Sequence, residues 1–206
     1  LMRADGGIGW CPNDGAMRGG GGGGGRVAVL FNPVQQVSNP GVRMSAVGGN
    51  GWEPGQMGTV YFPNTLFLSE TLANQFLGGR FVIAGFTNWA PDSLTIAGGN
   101  LAFGDEGFLL RVTNAVTIDA GGGLTLYPQR RLACGSLLLT NGGTLTVWSR
   151  TNIDTVADAT VNAGSRFDVA PGSWVYPYSD AMQGGSALFM ARYITVAAGG
   201  GFNADM

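Results

Sequence analysis

A short pattern that recurs about every 22 residues constrains the fold of this chain more than any other feature of its sequence. In each copy, a short strand with alternating apolar residues leads into a glycine-centred corner, and a second short strand follows. Five segments carry the pattern: SLTIAGGNLAF (93–103), AVTIDAGGGLTLYP (115–128), SLLLTNGGTLTVW (136–148), ATVNAGSRFDV (159–169) and ITVAAGGGFNADM (194–206). A repeat of this length that joins two strands predicts a stack in which each repeat packs on its predecessor.

The last apolar residue before each corner marks the phase of the repeat. These residues are Ile96, Ile118, Leu139, Val161 and Val196. The intervals between them are 22, 21, 22 and 35 residues. We predict that they form an inward-facing ladder in an all-β fold, a right-handed parallel β-solenoid, while alternate residues such as Thr95 and Thr117 face outward. A β-sandwich would also have strands of period two, but it would not need the same corner at the same phase in each repeat.

The longest interval contains a row of aromatic residues. The segment PGSWVYPYSDAMQGGSALFMARY (171–193) is either one degenerate repeat or an excursion from the stack. Trp174, Tyr176 and Tyr178 alternate along it, so they would share one face of a strand. Such a row either covers the stack or offers a surface on which sugars can stack. We therefore treat these three residues as candidate carbohydrate-binding residues.

The first half of the chain is less regular. Its predicted strands are RVAVLF (26–31), MGTVYFP (57–63) and GRFVIAGF (79–86). Between them, SETLANQFLGG (69–79) predicts a single helix, with Ser69 as its N-cap and Gly78 at its C-terminal end. We divide the chain into a glycine-rich connector, residues 1–25, and a solenoid, residues 26–206, whose regular repeats begin at about residue 93.

Seven consecutive glycines, residues 19–25, precede the first predicted strand. Such a run suits a flexible linker, a phosphate-binding loop or part of a repeated architecture. A phosphate-binding P-loop needs Gly-Lys-Ser/Thr at the start of a helix, whereas Gly25 is followed by Arg26 and a strand. The run is therefore predicted to be a connector, either flexible or packed as extended polyglycine.

The order of the motifs along the chain is also informative. The motifs are GGGGRVAVLF, then AVGGNGWEPGQMGTVYFP, then LTIAGGNLAF and VTIDAGGGLTLYP, and finally ITVAAGGGFNADM. This order resembles the tandem modules of very large bacterial extracellular β-helix repeat proteins, in which the last strand of one module opens into the next glycine-rich segment. The resemblance covers nearly the whole chain. It implies a structural module of an extracellular fibre, a cell-surface coat or an adhesin, cut from a longer protein and joined end to end to copies of itself or to neighbouring modules.

The residue types that are missing exclude several kinds of chemistry. The chain has no histidine and no lysine, since all eleven basic residues are arginine. Ser-His-Asp catalysis, Schiff-base chemistry and histidine-ligated metal sites are therefore excluded, and no cofactor is implied. The net charge of −2 argues against nucleic acid as a partner, and no segment approaches the roughly 18 apolar residues of a membrane span. Cys11 and Cys134 are either two unrelated thiols, a disulfide, or, for Cys11, a link between chains.

Two pairs of charged residues remain as candidates for chemistry. Asp105 and Glu106 are the only adjacent acids, so they form either a solvated turn or a weak carboxylate site for Ca²⁺. Arg130 and Arg131 end a strand and suit solvated corners; a lyase-like base would need a strongly lowered arginine pKa. We predict a non-enzymatic module. The alternative is a carbohydrate-binding or polysaccharide-lyase-like β-helix, with surface polysaccharide as its partner.

Overall fold

The computed structural model describes residues 1–9, 19–73, 78–83, 87–150 and 159–205. Over these residues the protein is all-β, with 17 strands and one short 3₁₀ helix at Thr65–Phe67. Every pairing between the strands is parallel, apart from an isolated antiparallel bridge that joins Asp180 to Gly184. The predicted parallel, all-β character is therefore confirmed.

The strands form two large sheets and one small sheet. The first sheet contains β5 (Thr71–Ala73), β7 (Asn88–Trp89), β8 (Leu94–Ala97), β10 (Leu109–Asp119), β12 (Arg131–Leu139), β14 (Thr160–Val169) and β16 (Leu188–Val196). The second sheet contains β2 (Arg26–Ala28), β4 (Thr59–Phe62), β6 (Gly79–Ile83), β9 (Asn100–Phe103), β11 (Gly123–Leu126), β13 (Thr144–Ser149), β15 (Trp174–Ser179) and β17 (Gly201–Phe202). The small sheet pairs β1 (Met2–Arg3) with β3 (Met44–Ser45).

From β8 onward, the chain alternates between the first and second sheets. Each strand from β10 to β15 therefore pairs with the strand two elements before it and with the strand two elements after it. Ile118, for example, is in register with Ile96 on one side and with Leu139 on the other, and all three side chains are buried. Strands in a sheet lie about 4.8 Å apart. Apolar residues in register on successive strands therefore form columns, and the columns of both sheets belong to one core.

From β8 onward, each corner that leads from the first sheet to the second contains a glycine in the left-handed region. The glycines are Gly98, Gly121, Gly142, Gly172 and Gly199, with φ between 65° and 85°. Residues other than glycine rarely adopt this backbone conformation, so the glycine pattern of the sequence marks the corners directly. The intervals between these glycines are 23, 21, 30 and 27 residues.

The longer intervals between corner glycines arise from the connections in which the chain passes from the second sheet back to the first. Four residues connect β11 to β12, whereas ten connect β13 to β14 and eight connect β15 to β16. The extra residues at these connections do not interrupt the sheets, because β14 still pairs in parallel with β12 and β15 with β13. The aromatic segment 174–179 is therefore a regular strand of the second sheet.

The predicted corner within residues 159–169 is wrong. These residues form one strand, β14, and Val161 pairs with Leu132 and Phe189. The residue in register with Leu139 is instead Val169, which in turn pairs with Val196. Val161 is buried, but it belongs to a different column from the one predicted.

The motif NAGS, which resembles a corner, is a shift of register inside β14. The shift falls between Ala163 and Arg166, and β12 has a corresponding shift between Cys134 and Ser136. Gly164 lacks the positive φ of the corner glycines. The strand therefore bends without leaving the first sheet, as β-bulges allow.

The predicted helix at residues 69–79 is also wrong where the structure describes it. Thr71–Ala73 is a strand, β5, in which Leu72 is buried in register with Ile96. The Ser69 hydroxyl donates to the Thr71 carbonyl at 2.6 Å, which is not an N-cap interaction. Pairing with β8 overrides the local helix propensity, which is a weak influence beside burial in a sheet.

The glycine run is packed against other glycine-rich segments of the same chain. We call residues 1–9, 19–25 and 44–58 together the glycine-rich region. Its segments are joined by backbone hydrogen bonds, such as Gly22 N–H to Gly7 O at 2.8 Å and Gly49 N–H to Gly22 O at 2.7 Å. A Cβ atom added at Gly49 would lie 1.9 Å from Gly7 O, and one at Gly21 would lie 1.8 Å from Gly49 O. The segments approach so closely that a side chain has no room.

Candidate functional site

Apolar residues on the last strand of each large sheet, β16 and β17, are exposed to solvent. In three registered pairs, the side chain of the earlier strand is at most 1% exposed and that of the last strand is at least 39% exposed. The pairs are Phe167 and Ile194, Val169 and Val196, and Val175 and Phe202. We call Ile194, Val196 and Phe202 the open end. These are core positions that face solvent because, in the described residues, β16 and β17 are followed by no further strand.

The opposite edge of the second sheet exposes less apolar surface, since Val27 of the edge strand β2 is half-buried. Val60 of β4 is 1% exposed beneath Val27 of β2, its partner in register. Phe31 and Val42 also pack against the core there, and the Phe31 ring lies 4.8 Å from the ring of Phe67. Over the described residues, the two edges of the stack therefore differ in how much apolar surface they expose.

The predicted aromatic row lies on the outer face of the second sheet. Trp174, Tyr176 and Tyr178 are all half-buried on β15. The Tyr176 and Tyr178 ring centres are 5.9 Å apart, and Tyr178 lies 4.8 Å from Trp148 of the neighbouring strand. Trp174 instead covers Gly201, where an added Cβ would meet its ring at 2.8 Å. The structure thus joins two of the three predicted residues to Trp148.

Trp148 also lines a groove between the second sheet and the glycine-rich region. The groove has a volume of about 340 Å³. It is lined by Pro54, Gly55, Gln56, Met57, Arg80, Tyr127 and Trp148. The guanidinium carbon of Arg80 lies 4.3 Å from the centre of the Tyr127 ring, which is a close cation–π contact. The Nε of Arg80 is buried and has no hydrogen-bond partner.

The predicted acidic pair lies among arginines. Glu106 forms an ion pair with Arg150 at 3.4 Å between Oε1 and Nη2. Asp105 and Glu106 both act electrostatically on Arg130. In the described part of the chain, no cluster of three or more His, Cys, Asp or Glu side chains could hold a metal ion. This arrangement does not resemble the all-oxygen ligand shell that Ca²⁺ requires.

Arg130 is buried, contrary to the expectation of a solvated corner. Its guanidinium donates to the carbonyls of Pro128 and Gly104, and so ties two neighbouring corners together. Burial lowers the pKa of Arg130, and the nearby charge of Glu106 acts in the opposite direction. Arg131, by contrast, is exposed at the start of β12. The two adjacent arginines therefore have unlike surroundings, and Arg130 has a structural role.

The described cysteine lies in the apolar core. Cys134 is buried and unpaired, and burial raises the pKa of its thiol to about 12. A thiol with so high a pKa carries almost no thiolate at neutral pH, so it is a poor nucleophile and a poor metal ligand. Cys11 lies outside the described residues.

Sequence reasoning did not single out Arg80, Tyr127 or Trp148. A signal for two of them was present, because Tyr127, Trp148 and Tyr178 each follow the first inward residue of their strand by three positions. Residues at one phase of a repeat lie side by side in a parallel stack. Arg80 shows no comparable periodicity, because the residues in register with it on the next two strands of the sheet are Ala102 and Thr125.

Comparison with known proteins gives no match: no family model, curated protein or solved structure is similar to this chain. Among the described residues, none of the helical structure is long and apolar enough to cross a membrane. The function must therefore be inferred from the geometry of the chain itself.

Proposed function

We propose that the chain is a non-catalytic structural module that associates end to end with copies of itself or with neighbouring modules. In this proposal the two large sheets are walls of a right-handed parallel β-solenoid, since crossovers between parallel strands are almost always right-handed. A bacterial extracellular fibre, surface coat or adhesin would use such a module. The resemblance of its motifs to large extracellular β-helix repeat proteins supports that setting.

The open end is the observation that carries this proposal. Ile194, Val196 and Phe202 are 48%, 45% and 39% exposed at positions that are buried one strand earlier. Covering apolar surface is favourable by about 25 cal/mol per Å². In the described chain, β16 pairs on one side alone, with β14, so a nine-residue edge is left for strand addition.

The partner we propose for the open end is the β2 end of another module. β2 and β17 are the two edge strands of the second sheet, and the strands between them all run parallel. A copy placed beyond β17 by translation would therefore pair its own β2 with β17 in the same parallel sense. Such a contact joins two different surfaces, so it repeats without closing.

Substitution of Val196 by lysine should abolish this association. Val196→Lys would place an unpaired charge in the apolar contact, where it is costly to bury. Thr195→Lys is the matched control, because Thr195 is exposed and faces the opposite side of the same strand. Sedimentation velocity over a wide range of concentrations measures the association of both variants and of the wild-type chain. Circular dichroism verifies that each variant is folded. A wild-type chain that stays monomeric at every concentration would contradict the proposal, as would equal association by Val196→Lys.

The lyase-like alternative has less support. A catalytic base would need to lose its proton, whereas Arg130 is bound to two carbonyls and Arg131 is exposed to solvent. Neither arginine lines the groove beside Tyr127 and Trp148. We therefore assign no catalytic step to the module.

A further inference from the structure

The groove beside the second sheet takes no part in the proposed end-to-end contact. It lies on the outer face, between the sheet and residues 54–57 of the glycine-rich region. We propose that this groove binds a saccharide chain that carries carboxylate groups, such as a polymer of uronic acids. This proposal is independent of the module's association.

The aromatic side chains supply the surface for the sugar rings. Tyr127 and Trp148 line the groove, and Tyr178 and Tyr176 extend the row beyond Trp148 at ring distances of 4.8 and 5.9 Å. All four are half-buried, so each ring is held by its neighbours and still presents part of its surface. A pyranose has an apolar face of C–H groups that packs on an aromatic ring. The tyrosine hydroxyls and the indole N–H can meet sugar hydroxyls at the edges.

The continuity of the row suits a polymer more than a single sugar. Tyr127 directly follows β11, Trp148 lies on β13 and Tyr178 lies on β15, and these successive strands of one sheet lie about 4.8 Å apart. Tyr176 lies beside Tyr178 on β15. The row therefore runs across the strands, from Tyr127, the residue after β11, to Tyr178 on β15. A chain of sugar rings laid along it could contact several aromatic side chains at once.

Arg80 supplies the preference for an acidic sugar. Among the described residues it is the one charged residue that lines the groove, and its guanidinium is held over Tyr127 at 4.3 Å. No ion pair to Arg80 occurs within the described residues. The acid Glu106 is already paired with Arg150. A carboxylate on the ligand would satisfy Arg80 with the charge-assisted geometry that arginine favours.

A matched pair of ligands tests the proposal. A hexamer of galacturonic acid and its methyl ester share one backbone, but the ester has no free carboxylates. We expect calorimetry to show that the wild-type chain binds the acid about tenfold more tightly than the ester. Arg80→Gln should remove that difference, whereas Trp148→Ala should weaken the binding of both ligands about tenfold.

Tyr193→Ala is the control for the loss of an exposed aromatic residue. Tyr193 is 65% exposed on the first sheet, away from the groove, so its removal should leave both affinities unchanged. Absence of binding by the wild-type chain would overturn the proposal. So would equal affinity for acid and ester, or unchanged binding in both Arg80→Gln and Trp148→Ala. Trp148→Ala should still associate end to end, which separates this proposal from the previous one.

Discussion

Adjacent leucines on one strand illustrate how the fold assigns roles to single residues. Leu139 is fully buried, whereas Leu138 is 37% exposed, although the two side chains are identical. The pleat of a β-strand points successive side chains to opposite faces of the sheet. Position in the alternation therefore decides whether a leucine stabilises the core.

We expect Leu139→Asp to unfold the module and Leu138→Asp to leave it folded. An unpaired carboxylate at position 139 would be buried between Ile118 and Val169, at a cost of several kcal/mol that is comparable with the whole stability of a domain. At position 138 the carboxylate would reach solvent. Thermal melting followed by circular dichroism compares the two. Similar melting temperatures would show that the register assigned to β12 is wrong.

Asp5 fastens the first segment of the glycine-rich region to β3. Its carboxylate accepts hydrogen bonds from the Ser45 hydroxyl, from Arg3 Nε at 2.7 Å and from the Val47 N–H at 3.1 Å. The hydrogen bond from Ser45 is the main cause that lowers the pKa of Asp5, and burial opposes it in part. The ionised form is thus the one that the fold prefers.

This preference predicts a loss of stability in acid. The pKa of Asp5 is lower in the folded chain than in the unfolded chain, where an aspartate has a pKa of about 3.9. Its contribution is therefore complete well above that value and is lost as the pH falls through the folded pKa. Asp5→Asn should be less stable than wild type at neutral pH, and the difference should shrink below about pH 4. Urea unfolding at several pH values measures the difference in unfolding free energy between the two chains. A difference that stays constant with pH would argue against this role for Asp5.

At the scale of elements, the sequence predicts the regular repeats well and the exceptions badly. Between residues 93 and 148, alternating apolar residues and corner glycines act together, and the strands lie where the pattern predicts. In residues 159–169 a glycine marks a bend within the first sheet, and residue types alone do not distinguish that from a corner. In residues 69–79 the strand depends on pairing with β8, which is 20 or more residues away in sequence.

The groove was only partly predictable for a related reason. Tyr176 and Tyr178 could be recognised from their alternation on one strand, and Tyr127 and Trp148 from their common phase. Residues 54–57 become neighbours of these rings only when the glycine-rich region packs beside the second sheet, to which Arg80 itself belongs on β6. That packing depends on backbone contacts, which leave no pattern of side chains to read.

The glycine-rich region should respond very differently to two equivalent substitutions. Gly49→Ala adds a methyl group 1.9 Å from Gly7 O, so the segments must separate and lose hydrogen bonds. Gly7→Ala adds the same group where nothing lies within 4 Å. We expect Gly49→Ala to destabilise the chain by about 2 kcal/mol or more and Gly7→Ala to be nearly neutral. Denaturant unfolding provides the comparison, and equal stabilities would show that the region is not closely packed.

For the whole molecule, the decisive property is that its ends differ. At the β2 edge Val27 is half-buried, whereas Val196 and Phe202 are exposed at the open end. A contact between like ends would give a closed dimer, whereas a contact between unlike ends has no natural limit. In the sedimentation experiment that tests Val196→Lys, the mean mass of the assemblies that the wild-type chain forms should therefore keep rising with concentration. A plateau at the mass of a dimer would favour contact between like ends.

The close packing of the glycine-rich region also affects how a gene for this chain can change. Every missense mutation of a glycine codon introduces a Cβ atom, and at Gly21, Gly49 and Gly55 that atom would lie 2.0 Å or less from a backbone oxygen. No mild replacement exists at these positions, whereas an outward residue such as Leu138 can be exchanged for many others. We expect descendants of this gene to diverge fastest on the outer faces of the sheets and to retain the glycines almost unchanged. The positions that vary among natural versions of this sequence would then mark the surfaces that can acquire new ligands.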